Sequence, residues 1–255
     1  FAVSLPLSAL PVMASGFDGG NGSADNPYLI RTPAQLQAME EDLSAHYQLA
    51  SNISLSQTTW RPIGDADHPF TGSLEGNGYS ITGLNLSYSG TSAEPVRAGL
   101  FDLLQGSVKH LSLSGSITAD LSGTAIQAGL LAAELQDAAV SDCTFAGEMI
   151  LTTSGSESSV YAALLAGTMN NSTVSNCTTD GSLQVESTAA GRAAGITGSA
   201  LGCTISSCTN QGDVSVLASG TTTSAQADAA GIVADLRGDT QVYDCHNYGS
   251  ITSYG

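Results

Sequence analysis

The chain has 255 residues, 42% of them hydrophobic, which is enough to bury a continuous core in one elongated domain or two small ones. Only 11% of the residues are charged, and 23 acidic against 6 basic side chains give a net charge of −17. Such a surface repels phosphate backbones and anionic lipid headgroups, so the composition argues against binding to nucleic acid or to membrane surfaces.

The first 14 residues, FAVSLPLSALPVMA, are apolar and differ in composition from the rest of the chain. Val12 and Ala14 stand three and one residues before Ser15, as in a signal-peptide cleavage site. The segment 1–14 is therefore predicted to be the remnant of a secretory signal, with a disordered or packed arm as the alternative. No later stretch approaches 18 uninterrupted apolar residues, so we expect no membrane insertion.

Residues 15–80 are predicted to form an N-terminal cap and the first coil or coils of the repeat described below. A short strand is expected at Tyr28–Ile30, and alternating apolar residues predict another between Tyr47 and Leu55. A helix over 33–43 is predicted by an N-cap, a first-turn proline, a capping box and an apolar stripe: Thr32, Pro33, Gln35, Leu36, Met39 and Leu43. This helix is placed to cover the first coil.

A repeat dominates residues 81–255. A β-branched residue and, three positions on, a cysteine recur at 31- to 37-residue intervals in four copies: Val140/Cys143, Val174/Cys177, Ile205/Cys208 and Val242/Cys245. Val108 with Leu111 makes a fifth copy, and Ile81 is interpreted as the start of the register. A glycine and then an apolar residue follow at fixed distances: Gly115/Ile117, Gly147/Met149, Gly181/Leu183, Gly212/Val214 and Gly249/Ile251. A fixed register of this length is typical of a solenoid.

Each repeat also contains an Ala/Gly-apolar stretch, aligned as Ala98, Ala128, Ala162, Ala194 and Ala230. With the β-branched stretch and the strand after the glycine, this predicts three short strands in each unit and no helix. The predicted fold class is all-β, a right-handed parallel β-helix with an N-terminal capping α-helix. The chain stops just after a strand that matches the third part of a coil, so we expect the natural polypeptide to continue.

The segments DNPYLI at 25–30, TPAQL at 32–36, WRPIG at 60–64 and FTGSLEGNG at 70–78 resemble the N-terminal part of GLUG-motif proteins. AGLF at 98–101 with GSVKHLSL at 106–113 is similar to a GLUG motif itself. The likeness covers residues 17–255 and implies a secreted or surface-located bacterial β-helix, with further domains of the same polypeptide as its partners. It implies no catalytic residue.

The cysteines are the first candidates for chemistry. Cys143, Cys177, Cys208 and Cys245 share one position of the repeat, and Cys203 stands apart. Stacked coils would hold their Cα atoms within reach of a disulfide, and export would permit oxidation. Leu111 at the same position favours buried free thiols instead, because cysteine is also a small apolar core residue. Disulfides and metal binding remain alternatives, although the spacing matches no zinc signature.

Other polar groups predict turns rather than sites. Asp142, Asn176 and Asp244 form a column beside the cysteines, and Asp65 to His68 form a polar loop. No Ser-His-Asp, His-x-x-x-His or phosphate-binding pattern is present. We therefore expect no catalytic, cofactor-binding or metal-binding residue and no enzyme activity.

The favoured function is a non-catalytic exported module that serves as stalk, display scaffold or adhesin segment of a larger bacterial surface protein. Other domains of the polypeptide are its expected partners, and host or cell-wall glycans or proteins are further candidates. The alternative is a glycan-binding module that uses loops near Trp60 or exposed tyrosines such as Tyr161 and Tyr248. A polysaccharide lyase or hydrolase is less favoured, because six cations suit an anionic polymer poorly.

Overall fold

The chain folds as the predicted parallel β-helix, and all pairings between its named strands are parallel. The structure is a computed structural model that describes residues 16–92, 94–155, 159–219 and 226–255. The predicted signal remnant at 1–14 lies outside the described residues. One core cluster of buried side chains extends without a break from Tyr28 to Val216.

The N-terminal part contains the α-helix and five strands. In chain order the elements are β1 Tyr28–Ile30, α1 Pro33–Gln37 followed by a 3₁₀ turn Ala38–Glu41, β2 His46–Leu49, β3 Ile53–Ser54, β4 Ser73–Glu75 and β5 Ser80–Thr91.

Five coils of four sides follow. Coil 1 comprises β6 Val96–Ala98, β7 Phe101–Leu104, β8 Ser107–Lys109 and β9 Ser112–Ser122; coil 2 comprises β10 Ile126–Gly129, β11 Ala132–Gln136, β12 Ala139–Ser141 and β13 Thr144–Ser154. Coil 3 comprises β14 Val160–Ala163, β15 Ala166–Asn170, β16 Thr173–Ser175 and β17 Thr178–Ser187; coil 4 comprises β18 Ala190–Ala194, β19 Thr197–Leu201, β20 Thr204–Ser206, β21 Thr209–Asn210 and β22 Asp213–Ala218. Coil 5 comprises β23 Gln226–Ala230, β24 Val233–Arg237, β25 Gln241–Tyr243, β26 His246–Asn247 and β27 Ile251–Tyr254.

Equivalent strands stack into four sheets, here named by their coil 1 strand. The β6 and β7 sheets have five strands each, the β8 sheet has eight and the β9 sheet has nine. The prediction of three strands in each coil was wrong, because the Ala/Gly-apolar stretch folds into two strands. Leu130 and Leu131 form the bend between them in coil 2 and are fully buried. A corner made of buried leucines carries none of the polar turn residues that mark a corner in sequence.

The corners between the sheets differ in how far their length varies. The β6–β7 and β8–β9 corners have two residues in every coil, and the β7–β8 corner has two or three. The connection from the β9 sheet to the next coil ranges from two residues, 188–189, to seven, 219–225. Length variation along the solenoid is therefore concentrated on one edge.

The helix is shorter than the predicted span 33–43. Thr32 is its N-cap, and the capping box with Gln35 is present as predicted. The α-helix ends at Gln37 and the 3₁₀ turn at Glu41, because the Asp42 carboxylate accepts a hydrogen bond from the Ser44 amide and turns the chain into β2.

The helix lies against the segment that precedes the β7 sheet. The Gln37 amide donates to the Arg61 carbonyl over 3.1 Å, and Glu40 forms a 2.9 Å ion pair with Arg61. Ile63, two residues further on, pairs with Phe101 of β7. The helix is thus held beside the segment that leads into the β7 sheet, while the outer edge of β1 is paired by backbone hydrogen bonds of Leu29 with Asp18 and Gly19.

The column of β-branched residues forms the predicted single inner file. Val140 pairs with Val108 and Val174, and Ile205 pairs with Val174 and Val242. Ile81 was wrongly placed at its head, since Ile81 pairs with Leu113 of the β9 sheet. The residue that precedes Val108 in the file is Leu74. A bulge between Ile81 and Leu84, at Gly83 with φ +72°, shifts the pairing of β5 with β9, so the register of this strand cannot be read from residue spacing.

The Ala/Gly-apolar alignment is also shifted by one residue between coils 3 and 4, and the offset continues into coil 5, where Ala230 pairs with Ala194. Ala194 pairs with Ala163 rather than with Ala162, whose partner is Ala193. Several small residues in succession make neighbouring registers look alike in sequence, so only the strand pairing distinguishes them.

Two polar or aromatic features of the core carried no sequence prediction. Aromatic rings stack through the N-terminal coils with centroid distances of 4.7 to 6.1 Å along one series: Phe17, Tyr28, Tyr47, Phe70 and Phe101.

Asn210 is fully buried, and its amide oxygen accepts from the Thr179 hydroxyl and the Gly212 amide. Its nitrogen donates to Asn247 and to the Gly212 carbonyl, so this buried amide is satisfied.

Candidate functional site: a polar groove between two sheets

Two columns of mainly polar side chains face one another along the junction of the β6 and β7 sheets. The β6-sheet column is Arg97, Gln127, Tyr161, Arg192 and Asp228. The β7-sheet column is Leu103, Glu134, Thr168, Ser199 and Asp235. Register alone brings these residues together, because they lie about one coil apart in the chain.

Contacts across the junction show that the two sheets enclose a groove. The Arg97 guanidinium on the β6 sheet hydrogen-bonds to Asp102 and, at 3.1 Å, to Glu134 on the β7 sheet. At the bend, a Cβ added to Gly167 would lie 2.9 Å from the Tyr161 carbonyl oxygen, and one added to Gly198 equally near that of Arg192. Small residues therefore let the two sheets approach closely.

The groove concentrates the few positive charges of the chain. Arg97, Arg192 and Arg237 are three of the six basic residues, although the molecule carries a net charge of −17. Each arginine is ion-paired: Arg97 with Asp102 and Glu134, Arg192 with Asp228 and Asp235, and Arg237 with Asp235. The Arg97 and Arg192 side chains are only 21% and 15% exposed, so these pairs are partly screened from water.

A pocket of about 250 Å³ occupies the middle of the groove. Its lining includes Tyr161, Thr168, Asn170, Leu201 and Arg237. The Thr168 hydroxyl oxygen is buried and has no hydrogen-bond partner among the described residues. Because that oxygen is buried while Thr168 as a whole is only half-buried, the part of Thr168 that faces the pocket is its methyl group. The pocket is the candidate binding site because aromatic, aliphatic and amide groups line it together.

The aromatic residues named in the glycan-binding hypothesis differ in burial and in position. Trp60 is 4% exposed and its indole nitrogen donates to the Leu100 carbonyl, so its ring belongs to the core, and a binding role for the loops near it stays a prediction. Tyr248 is 74% exposed and stacks on His246. Tyr161 lies in the groove, where its hydroxyl accepts from Arg192 and the guanidinium is 5.4 Å from its ring centroid.

A second cleft, of about 370 Å³, lies over β2, β4 and β8. Here the Ser73 hydroxyl is 2.7 Å from Nδ1 of His46, a pairing that their 27-residue separation concealed. Among the described residues, none hydrogen-bonds to His46 at Nε2. The pair therefore lacks the third group that orients a catalytic histidine, and its contact follows from their opposite positions in the sheet.

The cysteine column forms as predicted at the β8–β9 corner. Cys177 contacts the thiols of both Cys143 and Cys208, and this contact together with burial raises the pKa of Cys177 well above its ordinary value. Each thiol donates to the carbonyl two residues earlier, as Cys143 does to Ser141 over 3.0 Å. All five cysteines are free thiols in the structure, with Cys245 alone partly exposed.

We expect only Cys245 to react with Ellman's reagent in the native protein, and slowly, because burial raises the pKa of its thiol. The other four should react only in denaturant. The substitution Cys245→Ser should abolish the native reaction while leaving four thiols to titrate on unfolding. Labelling of all five in the native state would contradict a buried column, and fewer than five in denaturant without reductant would indicate a disulfide.

The column beside the cysteines consists of corner residues. His110, Asp142, Asn176, Ser207 and Asp244 all have φ between 49° and 58°, the left-handed region that asparagine and aspartate tolerate best. Asn176 donates to the Asp142 carboxylate over 2.6 Å, which lowers the pKa of Asp142. These residues close a turn in each coil, as predicted.

The loop at Asp65 is likewise a closed turn. Its carboxylate accepts from the backbone amides of Asp67 and His68 at 2.9 and 2.7 Å, and the His68 amide is the main cause of its lowered pKa. Across the described ranges, no group of three or more His, Cys, Asp or Glu side chains is arranged to hold a metal ion. None of the helices described is long and apolar enough to cross a membrane.

No protein-family model matches the chain. A provisionally named Gly-rich membrane protein of Evansella cellulosilytica is 38% identical over 112 residues, which cover 40% of this chain and 12% of the relative. Halomucin of Haloquadratum walsbyi is 39% identical over 124 residues, 42% of this chain and 1% of halomucin. The chain thus spans only a small fraction of the length of these relatives.

Among solved structures, the chain is similar to a protein of Bacteroides ovatus provisionally described as an immunoglobulin A1 protease. The TM-score is 0.68 at 20% identity, covering 91% of this chain and 70% of that one. At this level of identity the likeness establishes a shared β-solenoid fold, and function is a separate matter.

Proposed function

We propose that the chain is a non-catalytic, exported β-helix module that acts as a display scaffold in a larger surface protein. The observation that carries the proposal is the concentration of length variation on one edge. The corners within a coil have two or three residues, whereas the connections between coils have two to seven. A rigid rod with one variable edge holds those connections at fixed heights along its axis.

The relatives support the surface part of this proposal. One is named as a membrane protein and the other as halomucin, and both are far longer than this chain. A net charge of −17 on a surface rich in serine and threonine suits a solvated exterior module. The GLUG resemblance and the predicted signal remnant support export in the same way.

The groove supports the non-catalytic part. A glycosidase needs two carboxyl groups that flank one bond at a defined separation, one of them able to give up a proton. The groove carboxylates of Asp102, Glu134 and Asp235 are instead held by arginines. The His46–Ser73 pair lacks an orienting acid within the described residues.

Insertions should test the scaffold directly. A flexible ten-residue epitope inserted after Gly123, on the variable edge, should leave the melting temperature within about 2 °C of the parent, because loop length has a small entropic cost. The same insertion between Leu130 and Leu131 should unfold the coil, because it separates buried corner residues. Equal loss of stability from both insertions would contradict the proposal.

The absence of catalytic activity can be tested by direct assay. The chain should release no reducing sugar from neutral or acidic polysaccharides and no fragment from immunoglobulin A. Turnover that disappears in a His46→Ala variant would overturn the non-catalytic assignment and point to the second cleft.

A further inference from the structure

We propose that the groove between the β6 and β7 sheets binds a neutral oligosaccharide, with one sugar unit seated in the pocket between Tyr161 and Asn170. The site is independent of the variable edge on which the scaffold function depends. The glycan therefore binds the side of the solenoid, away from the connections between coils, and the glycan-binding and scaffold proposals can fail separately.

Unused hydrogen-bonding capacity in the pocket is the first argument. The Asn170 side-chain nitrogen donates to Glu134 over 2.9 Å, which leaves the Asn170 side-chain oxygen as an acceptor. Gln127 accepts from Arg97 through its oxygen, which leaves its NH₂ as a donor. Within the described residues, donors and acceptors thus converge without a partner for each. A sugar hydroxyl both donates and accepts, so it matches such a mixed set better than an ion or an apolar ligand does.

Apolar surface in the same pocket is the second argument. The Tyr161 ring, Met169 and Leu201 line it together with the polar groups. Leu201 is 45% exposed, which is unusual for a leucine on a sheet with so buried a core. A sugar ring presents C–H faces beside its hydroxyls, and aromatic and aliphatic side chains pack against such faces while polar groups fix the orientation.

Charge selects a neutral polymer. Asp102, Glu134, Asp228 and Asp235 face Arg97, Arg192 and Arg237 in the groove, so the local balance is one negative charge, within a molecule of net charge −17. Binding of an anionic polysaccharide is opposed by this field, and the arginines cannot attract it because each is already paired. A cationic ligand would have to break those pairs.

The length of the groove favours an oligosaccharide over a single sugar. The paired columns continue from Arg97 in coil 1 to Asp228 in coil 5, with neighbouring strands about 4.8 Å apart. A chain laid along the axis meets a polar side chain from the β6 sheet at every coil. One sugar would fill only the central pocket.

Calorimetry on the whole chain tests the proposal with defined probes. Cellohexaose, mannohexaose, maltohexaose and xylohexaose are the neutral probes, and hexagalacturonate is the anionic one. We expect at least one neutral hexaose to bind with a Kd of about 1 mM or tighter, and hexagalacturonate to be weaker. Failure of all four neutral probes, or preference for hexagalacturonate, would overturn the proposal.

Matched variants locate the site. Asn170→Ala removes the free acceptor, so affinity for the hexaose should fall about tenfold. Thr144→Val, on the exposed face of β13, is the control and should leave both affinity and melting temperature unchanged. If Asn170→Ala binds the same hexaose as tightly as the parent, the ligand lies elsewhere and the groove assignment is wrong.

Discussion

Substituting Gly181 by alanine is expected to lower the free energy of unfolding by about 2–5 kcal/mol, the sum of a steric and a backbone effect. Gly181 stands in the glycine column, Gly115, Gly147, Gly181, Gly212 and Gly249. A Cβ at Gly181 would lie 1.9 Å from the Gly147 carbonyl oxygen of the coil before, and its φ is +112°, a conformation that side-chain-bearing residues rarely adopt. The Gly147 carbonyl oxygen cannot move aside as the end of a flexible side chain could, because it belongs to a strand that is paired on both sides.

Two other glycines separate the two effects. A Cβ at Gly147 would lie 2.1 Å from the Gly115 oxygen, but Gly147 lies outside the left-handed region, so Gly147→Ala should show the crowding alone, about 1–3 kcal/mol. Gly123 has φ +77° and no atom within 4 Å of an added Cβ, so Gly123→Ala should show the backbone cost alone, about 1–2 kcal/mol. Urea unfolding of the three variants measures these differences. A Gly181→Ala protein no less stable than Gly123→Ala would contradict close stacking at this column.

The glycine and valine columns were predictable because each position demands one type of residue. Close backbone approach admits only glycine, and the buried inner file favours branched apolar side chains, so the same letters recur at each coil. The N-terminal coil was misaligned because it departs from that rule. At the position of the inner file, Leu74 stands where the later coils carry a β-branched residue, and a bulge follows Ile81.

The groove could not be predicted from the sequence, because the residues of each column share a position in the coil but not a residue type. Arg97, Gln127, Tyr161 and Arg192 share a register position, but no one residue type is common to all four. Outward positions are free to vary, so function placed there leaves no periodic signal. Tyr161 and the loops near Trp60 were named as candidate ligand contacts from aromatic character alone. Tyr161 lies in the groove, whereas the Trp60 ring is buried in the core.

The second large effect concerns the aromatic stack. Replacing Phe101 by alanine should cost about 3–5 kcal/mol, because Phe101 is fully buried and its ring centroid is 5.0 Å from that of Phe70. The cavity would open where the stack ends, since the next residue in its strand register is Ala132, which has no ring to move into the space.

The loss should also be local, because a solenoid is held together mainly by contacts between neighbouring coils. Hydrogen exchange of Phe101→Ala should accelerate in β4, β7 and β11, while β19 and β20, two or more coils away, should keep their parent rates. Tyr248→Ala removes a ring that is 74% exposed and should change stability by less than about 0.5 kcal/mol. If exchange instead rises uniformly along the chain, the coils unfold as one cooperative unit, and the nearest-neighbour description of this rod is wrong.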